Sequence, residues 1–249
     1  MIRNRCRAGP ATEENNQRAL PVTCFHRAVL YPFDPETGIL DRLTGMYAGD
    51  LPVEALPELA AIAADGAPSD RARAVSIAGA LISAADPYTA EIRDRYRDSI
   101  AALLGEVRSE LAAEAPAADR EPAAFIDRVH SMLTFEDSAA WSPRLFELTD
   151  GEIEIECPVC WAAMTVHLGG AGFFTCTSGY PLDRVTKRPL IPAHPDRLTG
   201  LGARLHRLAL VGRQFTIARQ FTYLFGRGTC TENGHEFTPV DALEKAAMP

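Results

Sequence analysis

Two cysteines two residues apart, Cys157 and Cys160 in the stretch "IECPVCWAAM", constrain this chain more than any other feature. A C-x2-C pair with proline behind its first cysteine is a turn that offers two thiolates to one tetrahedral zinc ion, and such an ion takes four ligands. Six cysteines spread over 249 residues do not make a disulfide framework in a reducing compartment, so a pair at ligand spacing reads as metal-binding. The compartment follows from what the chain lacks. Its opening, "MIRNRCRAGPATEENNQRALP", has charge without an apolar segment behind it, and no run approaches the ~20 apolar residues that cross a bilayer. A cytoplasmic protein without a membrane segment is expected.

The rest of the site must come from downstream. "GTCTENGHEF" reads as a second turn of the same kind, in which Cys230 is present but Asn233 stands where the partner cysteine belongs. Three residues could complete the set. His235 follows at a workable turn spacing and ranks first, Cys176 depends on how the chain folds back, and His167 ranks last. The metal set is therefore read as Cys157, Cys160, Cys230 and His235; the alternative is a ribbon that has lost its metal and survives as a hydrophobic hairpin with leftover cysteines. A thiolate-rich ion is a poor Lewis acid, which makes the zinc structural rather than catalytic.

Around these turns the periodicity changes twice. Residues 1–20 are polar and aperiodic and read as a flexible N-terminal segment. From "PVTCFHRAVLYPFDPETGILDRL" the chain is apolar and aromatic, with Cys24 and His26 assigned to packing. Helices follow, with Pro57 in a first turn, Ser69 as a cap, and Asp86 capping a helix with Pro87 at its first position. Ile92, Tyr96, Ile100, Leu103, Leu104, Val107 and Leu111 make one long apolar stripe, with Glu91 and Arg95 as a supporting pair. Phe125, Ile126, Val129, Met132 and Leu133 make another, with His130 beside it.

Near residue 138 helical spacing gives way to alternation. Ile153 and Ile155 point one way and Glu152, Glu154 and Glu156 the other. Met164, Val166 and Leu168 match the isoleucines across a hairpin, while Thr165 and His167 fall on the glutamate face, read as solvated. "GFFTC" is a third strand. Two helices then intervene, on Leu198, Leu201, Leu205 and Leu208 and on Ile217, Phe221, Leu224 and Phe225, before the second turn, a strand and a final helix. The fold class expected is α+β: a flexible segment at 1–20, an antiparallel helical array at 21–138, and a zinc-ribbon-like hairpin module with inserted helices at 139–249.

A net charge of -8 opposes phosphate binding, and the basic stretch "DRVTKRP" around Lys187 and Arg188 is too short to reverse it, so nucleic acid is not expected. No nucleophile elbow, phosphate loop, H-E-x-x-H or dinucleotide fingerprint occurs. With "ALPELAAIAAD", "DRARAVSIAGALISA", "IEIECPVC", "GFFTC" and "YLFGRGTCTENGHEFTPVDAL" in place, the chain resembles a group of bacterial proteins that join a HEAT-like helical array to a C-terminal split zinc ribbon. The resemblance spans about residues 25–245 and matches Cys157, Cys160 and Cys230 to ribbon ligand positions; Asn233 departs from the fourth. It implies no reaction. A helical surface that binds another protein is the function expected, and the alternative is a metal-dependent enzyme whose incomplete site leaves a coordination position open, closed over by the aromatic segment from Phe25 to Phe33.

Overall fold

A computed structural model describes residues 39–44, 52–85, 88–113, 121–178 and 185–247, all within one compact unit that begins at Thr37. The segment 1–20, Cys24, His26, the aromatic run Phe25–Phe33 and the cap at Asp86–Pro87 lie outside the described residues. Mixed helix and antiparallel sheet make up the rest. The first half is helical, with α1 (Ile39–Thr44), α2 (Leu56–Asp65), α3 (Pro68–Ser83), α4 (Thr89–Arg95), α5 (Arg97–Ala112), α6 (Pro122–Glu136) and the single turn α7 (Glu147–Asp150).

Pro57 sits in the first turn of α2, where its missing N–H costs nothing. Ser69 is not a cap. Pro68 already occupies the first turn of α3, so the cap position falls on Ala67 and Ser69 lies inside the helix. The long stripe from Ile92 to Leu111 is divided at Tyr96, whose φ of -111° and ψ of 27° leave the helical region. Burial follows the division: α4 buries nothing, while Ile100, Leu103, Val107 and Leu111 of α5 are buried. Arg95 lies over the Tyr96 ring at that break.

Helices α2, α3, α5 and α6 close on one another, α2 packing on α3 and α5 while α6 packs on α3 and α5. The central member is α6. Nine of its residues are buried, including all five of its predicted stripe together with His130, Ser131 and Thr134, as befits a helix surrounded by others. His130 meets the Phe146 ring edge-on at 5.3 Å.

Strands β1 (Glu152–Glu156), β2 (Ala163–Gly169), β3 (Gly172–Thr177) and β4 (Lys187–Pro189) form an antiparallel sheet in chain order. The alternation expected of β1 and β2 places Ile153, Ile155, Met164, Val166 and Leu168 in the core. Helices α8 (Gly200–Val211) and α9 (Phe215–Leu224) follow, then the short pair β5 (Gly228–Thr229) and β6 (Glu236–Phe237), and α10 (Pro239–Ala247). One hydrophobic core runs from Leu40 to Leu243. All the described strands follow residue 138, together with α7 to α10, and the core continues across it.

One device ties the halves and a second closes the C-terminal half on itself. Glu136 at the end of α6 is 8% exposed and receives the guanidinium of Arg204 from α8, with Oε2 2.7 Å from Nη1, and that of Arg108 from α5 at 2.8 Å. Burial alone would raise its pKa, but the hydrogen bonds from Arg204, Arg108 and Ser138 lower it, so the carboxylate stays charged. The second device is a strap. Ile191 and Arg227 exchange two backbone hydrogen bonds of 2.8 Å, and Ala193 N–H donates to Thr222 O at 2.8 Å. Gly226 makes this possible, since a Cβ there would stand 2.3 Å from Ile191 O.

Glu136→Gln is expected to lower unfolding stability by roughly 1.5–3 kcal/mol at neutral pH, the range for hydrogen bonds to a charged group. Because the folded pKa lies below the unfolded one, that contribution is present above the unfolded value and is lost as pH falls through the folded one. Denaturant titrations of both chains should therefore converge in acid. Breaking the exposed Asp94–Arg97 pair should leave the midpoint unchanged.

Candidate metal centre

The turn between β1 and β2 is closed by Cys157 N–H donating to Ala162 O at 2.9 Å and Trp161 N–H donating to Cys157 O at 3.0 Å. The turn between β5 and β6 has the same two bonds, from Cys230 N–H to His235 O at 2.8 Å and from Gly234 N–H to Cys230 O at 3.1 Å. Each contains one left-handed residue at the same place, Trp161 with φ 61° and Gly234 with φ 73°. The two backbones are therefore equivalent position by position. Cys157 matches Cys230, Cys160 matches Asn233, Trp161 matches Gly234 and Ala162 matches His235.

The turns meet at their sulfurs. Cys157, Cys160 and Cys230 offer three Sγ atoms all within 4.8 Å of one another, a group that could hold a metal ion. Cys160 and Cys230 approach to 3.7 Å across 70 residues of chain, and all three cysteines are free of disulfides. Cys157 and Cys230 are fully buried, and Cys160 is exposed. Burial on its own would raise the pKa of Cys157, but the N–H groups of Cys160 and Val159 and the thiols of Cys160 and Cys230 lower it. At Cys160 the N–H of Ala162 lowers the pKa, yet burial and the other two thiols prevail and raise it. The surroundings thus favour the thiolate at Cys157 over that at Cys160.

His235 does not join this group. The turn's own hydrogen bonds explain why: they assign His235 the place of Ala162, past the ligand position, and leave its side chain exposed. The residue backbone-equivalent to Cys160 is Asn233, whose Oδ1 accepts the N–H of His235 at 2.9 Å. Lys245 of α10 completes the surroundings, its Nζ donating to Pro158 O at 2.6 Å and lying 4.2 Å from the centroid of the Trp161 ring.

Cys176 and His167 belong to a different cluster. On the sheet face expected to be solvated, His167 is 1% exposed, with Nε2 3.4 Å from Cys176 Sγ and Nδ1 3.3 Å from Glu152 Oε1. The Phe174 ring stacks on the imidazole at 4.4 Å. Burial lowers the His167 pKa, opposed by Glu152 and assisted by Lys187, and burial likewise raises that of Cys176. Thiol and imidazole are thus a neutral pair inside the sheet. Glu154 and Glu156, farther along the row, are exposed as expected.

A second surface feature escaped the motif reading. Between Lys187 and Arg227 stand eight Lys or Arg residues against one acid, Asp196, in a chain of net charge -8. Counting charge from β4 through the helical hairpin to Arg227, rather than over "DRVTKRP" alone, would have found it. The hairpin borders an open groove of about 480 Å³ lined by Pro192, His194, His206, Leu210, Phe215 and Arg219, among others. Phe215 is 66% exposed there, and Arg219 lies over Phe173, which stacks on Tyr223 at 4.0 Å.

No family model, no curated protein and no solved structure matches the chain. Among the described residues no helix is long and apolar enough to cross a membrane.

His130 and His167 are both buried with lowered pKa values, mainly through burial. Each is neutral when folded and gains a proton on unfolding once pH falls below the unfolded value of about 6.5. Stability should therefore be full above that pH and decline below it, by up to about 1.4 kcal/mol per pH unit for each histidine. Denaturant midpoints measured from pH 7.5 to 5 should show this slope, and His167→Phe should flatten it.

Proposed function

We propose that the chain is an interaction protein of the cytoplasm whose C-terminal module is a zinc ribbon in which one ligand has been replaced. The carrying observation is the pair of backbone-equivalent turns that bring three thiols together from opposite ends of a helical insertion. Zinc fits this donor set. Two thiolates bound at about 2.3 Å to a tetrahedral ion stand roughly 3.8 Å apart, close to the 3.7 Å between Cys160 and Cys230. Such an ion joins the β1–β2 hairpin to β5, β6 and α10, adding to the Ile191–Arg227 strap, the Thr175–Thr229 hydrogen bond and the packing of α10 on β1. The exposed Cys160 and the lack of a buried base beside the thiols support a structural role over the enzymatic alternative.

The surface supported as the docking site is the α8–α9 groove rather than the N-terminal helices. Two exposed large apolar side chains, Leu210 and Phe215, line it together with Arg219, His194 and His206, and the basic side chain of Arg219 selects the occupant by charge complementarity. That occupant is an acidic segment of another protein carrying apolar side chains.

Elemental analysis of the purified full chain should find one zinc per molecule, lost in Cys157→Ser and Cys230→Ser. Chelation should lower Tm by on the order of 5 °C or more; an unchanged Tm in a metal-free protein would refute the staple. A labelled acidic peptide containing Leu and Phe should bind with salt-sensitive affinity, and Phe215→Ser with Arg219→Glu should weaken it about tenfold, ~1.4 kcal/mol. Equal binding of a basic peptide would exclude the docking assignment.

A further inference from the structure

In the second turn Asn233 occupies the backbone position that Cys160 holds in the first, and its Oδ1 accepts the N–H of His235. In the first turn the side chain at that position lies with Cys157 and Cys230. We propose that the fourth position of the centre belongs to Asn233, a neutral and exchangeable oxygen donor, and that a small external thiol takes that position as a thiolate. The proposal rests on the metal reading above.

Three features carry it. Three thiolates select a soft metal, for which a neutral carboxamide is a weak ligand and a fourth thiolate a strong one. Access is one-sided: Cys157 and Cys230 are fully buried, whereas Cys160, Glu232, Asn233, Gly234 and His235 are exposed. A small molecule therefore reaches the fourth position while two of the protein's own sulfurs stay shielded. Charge is the third feature. Three thiolates on a divalent ion leave a net negative centre, a fourth deepens it, and Lys245 is fixed against the first turn by Pro158 O and the Trp161 ring. In the exchange the thiol gives its proton to solvent and its sulfur takes the place of the Asn233 oxygen. No electron changes hands.

Cobalt(II) loaded into the full chain tests this, with 2-mercaptoethanol as the thiol. Wild type should show tetrahedral d–d bands and sulfur-to-metal charge transfer that rises by about one third on adding the thiol, the step from three thiolates to four. Asn233→Cys should start at the higher intensity and not respond. Asn233→Ala should keep the response, and His235→Ala should behave as wild type. A wild-type spectrum indifferent to thiol, an Asn233→Cys protein that still responds, or loss of the tetrahedral bands in His235→Ala overturns the assignment of the fourth position while leaving the three-thiol site standing. Failure of any variant, wild type included, to show sulfur-to-cobalt charge transfer overturns the metal reading itself.

Discussion

The meeting of Cys160 and Cys230 at 3.7 Å, 70 residues apart in sequence, requires the C-terminal half to bring two distant turns together. Neither turn is large. Strands β5 and β6 contribute two residues each, too few for a ladder to define their position, and β1 and β2 gain nothing from them directly. What fixes the second turn is a chain of local restraints running back from it. The Ile191–Arg227 strap fastens its approach, Thr175 Oγ1 donates to Thr229 O at 2.7 Å, and α10 packs on β1. The thiols come together because the backbone around them has already been placed.

That placement in turn depends on the α8–α9 hairpin, which carries the chain from the sheet edge to the second turn. The hairpin is held from both sides. Arg204 of α8 reaches Glu136 at the end of α6, and Gln220 of α9 donates through Nε2 to Leu148 O at 2.9 Å and Leu168 O at 3.0 Å. A buried amide spanning two carbonyls specifies register more sharply than apolar contacts do, since a shift would orphan polar groups in the core. The polar clamps thus decide where the hairpin sits, and the leucines on its inner face supply the burial.

How far this was legible in the sequence varies with the range of the interaction. Period-two spacing placed Ile153, Ile155, Met164, Val166 and Leu168 in the core because a strand that buries one face leaves no other choice. Helix starts were less secure. Ser69 resembles a cap in isolation, but Pro68 before it takes the first turn, and the break at Tyr96 has no glycine or proline to announce it. His167 shows the limit most clearly. Alternation assigned it correctly to the glutamate face, but its burial comes from neighbours in space, the Phe174 ring and the Cys176 thiol on β3, which strand periodicity does not see.

The same distinction governs the fourth ligand. Spacing along the chain made His235 attractive because histidine binds metals and asparagine seldom does. The alignment itself was legible, with Asn233 standing where the partner cysteine belongs, and the hydrogen bonds give it a backbone: Gly234 takes the place of Trp161, so Asn233 takes that of Cys160 and His235 that of Ala162. A glycine following asparagine was visible from the start, and it is the residue type that tolerates this conformation without cost. In the first turn a tryptophan bears the same backbone strain, its ring held under Lys245. Bulk that glycine would have avoided is placed at the exposed tip beside the thiols, so the two turns share a backbone and differ in what they present to solvent.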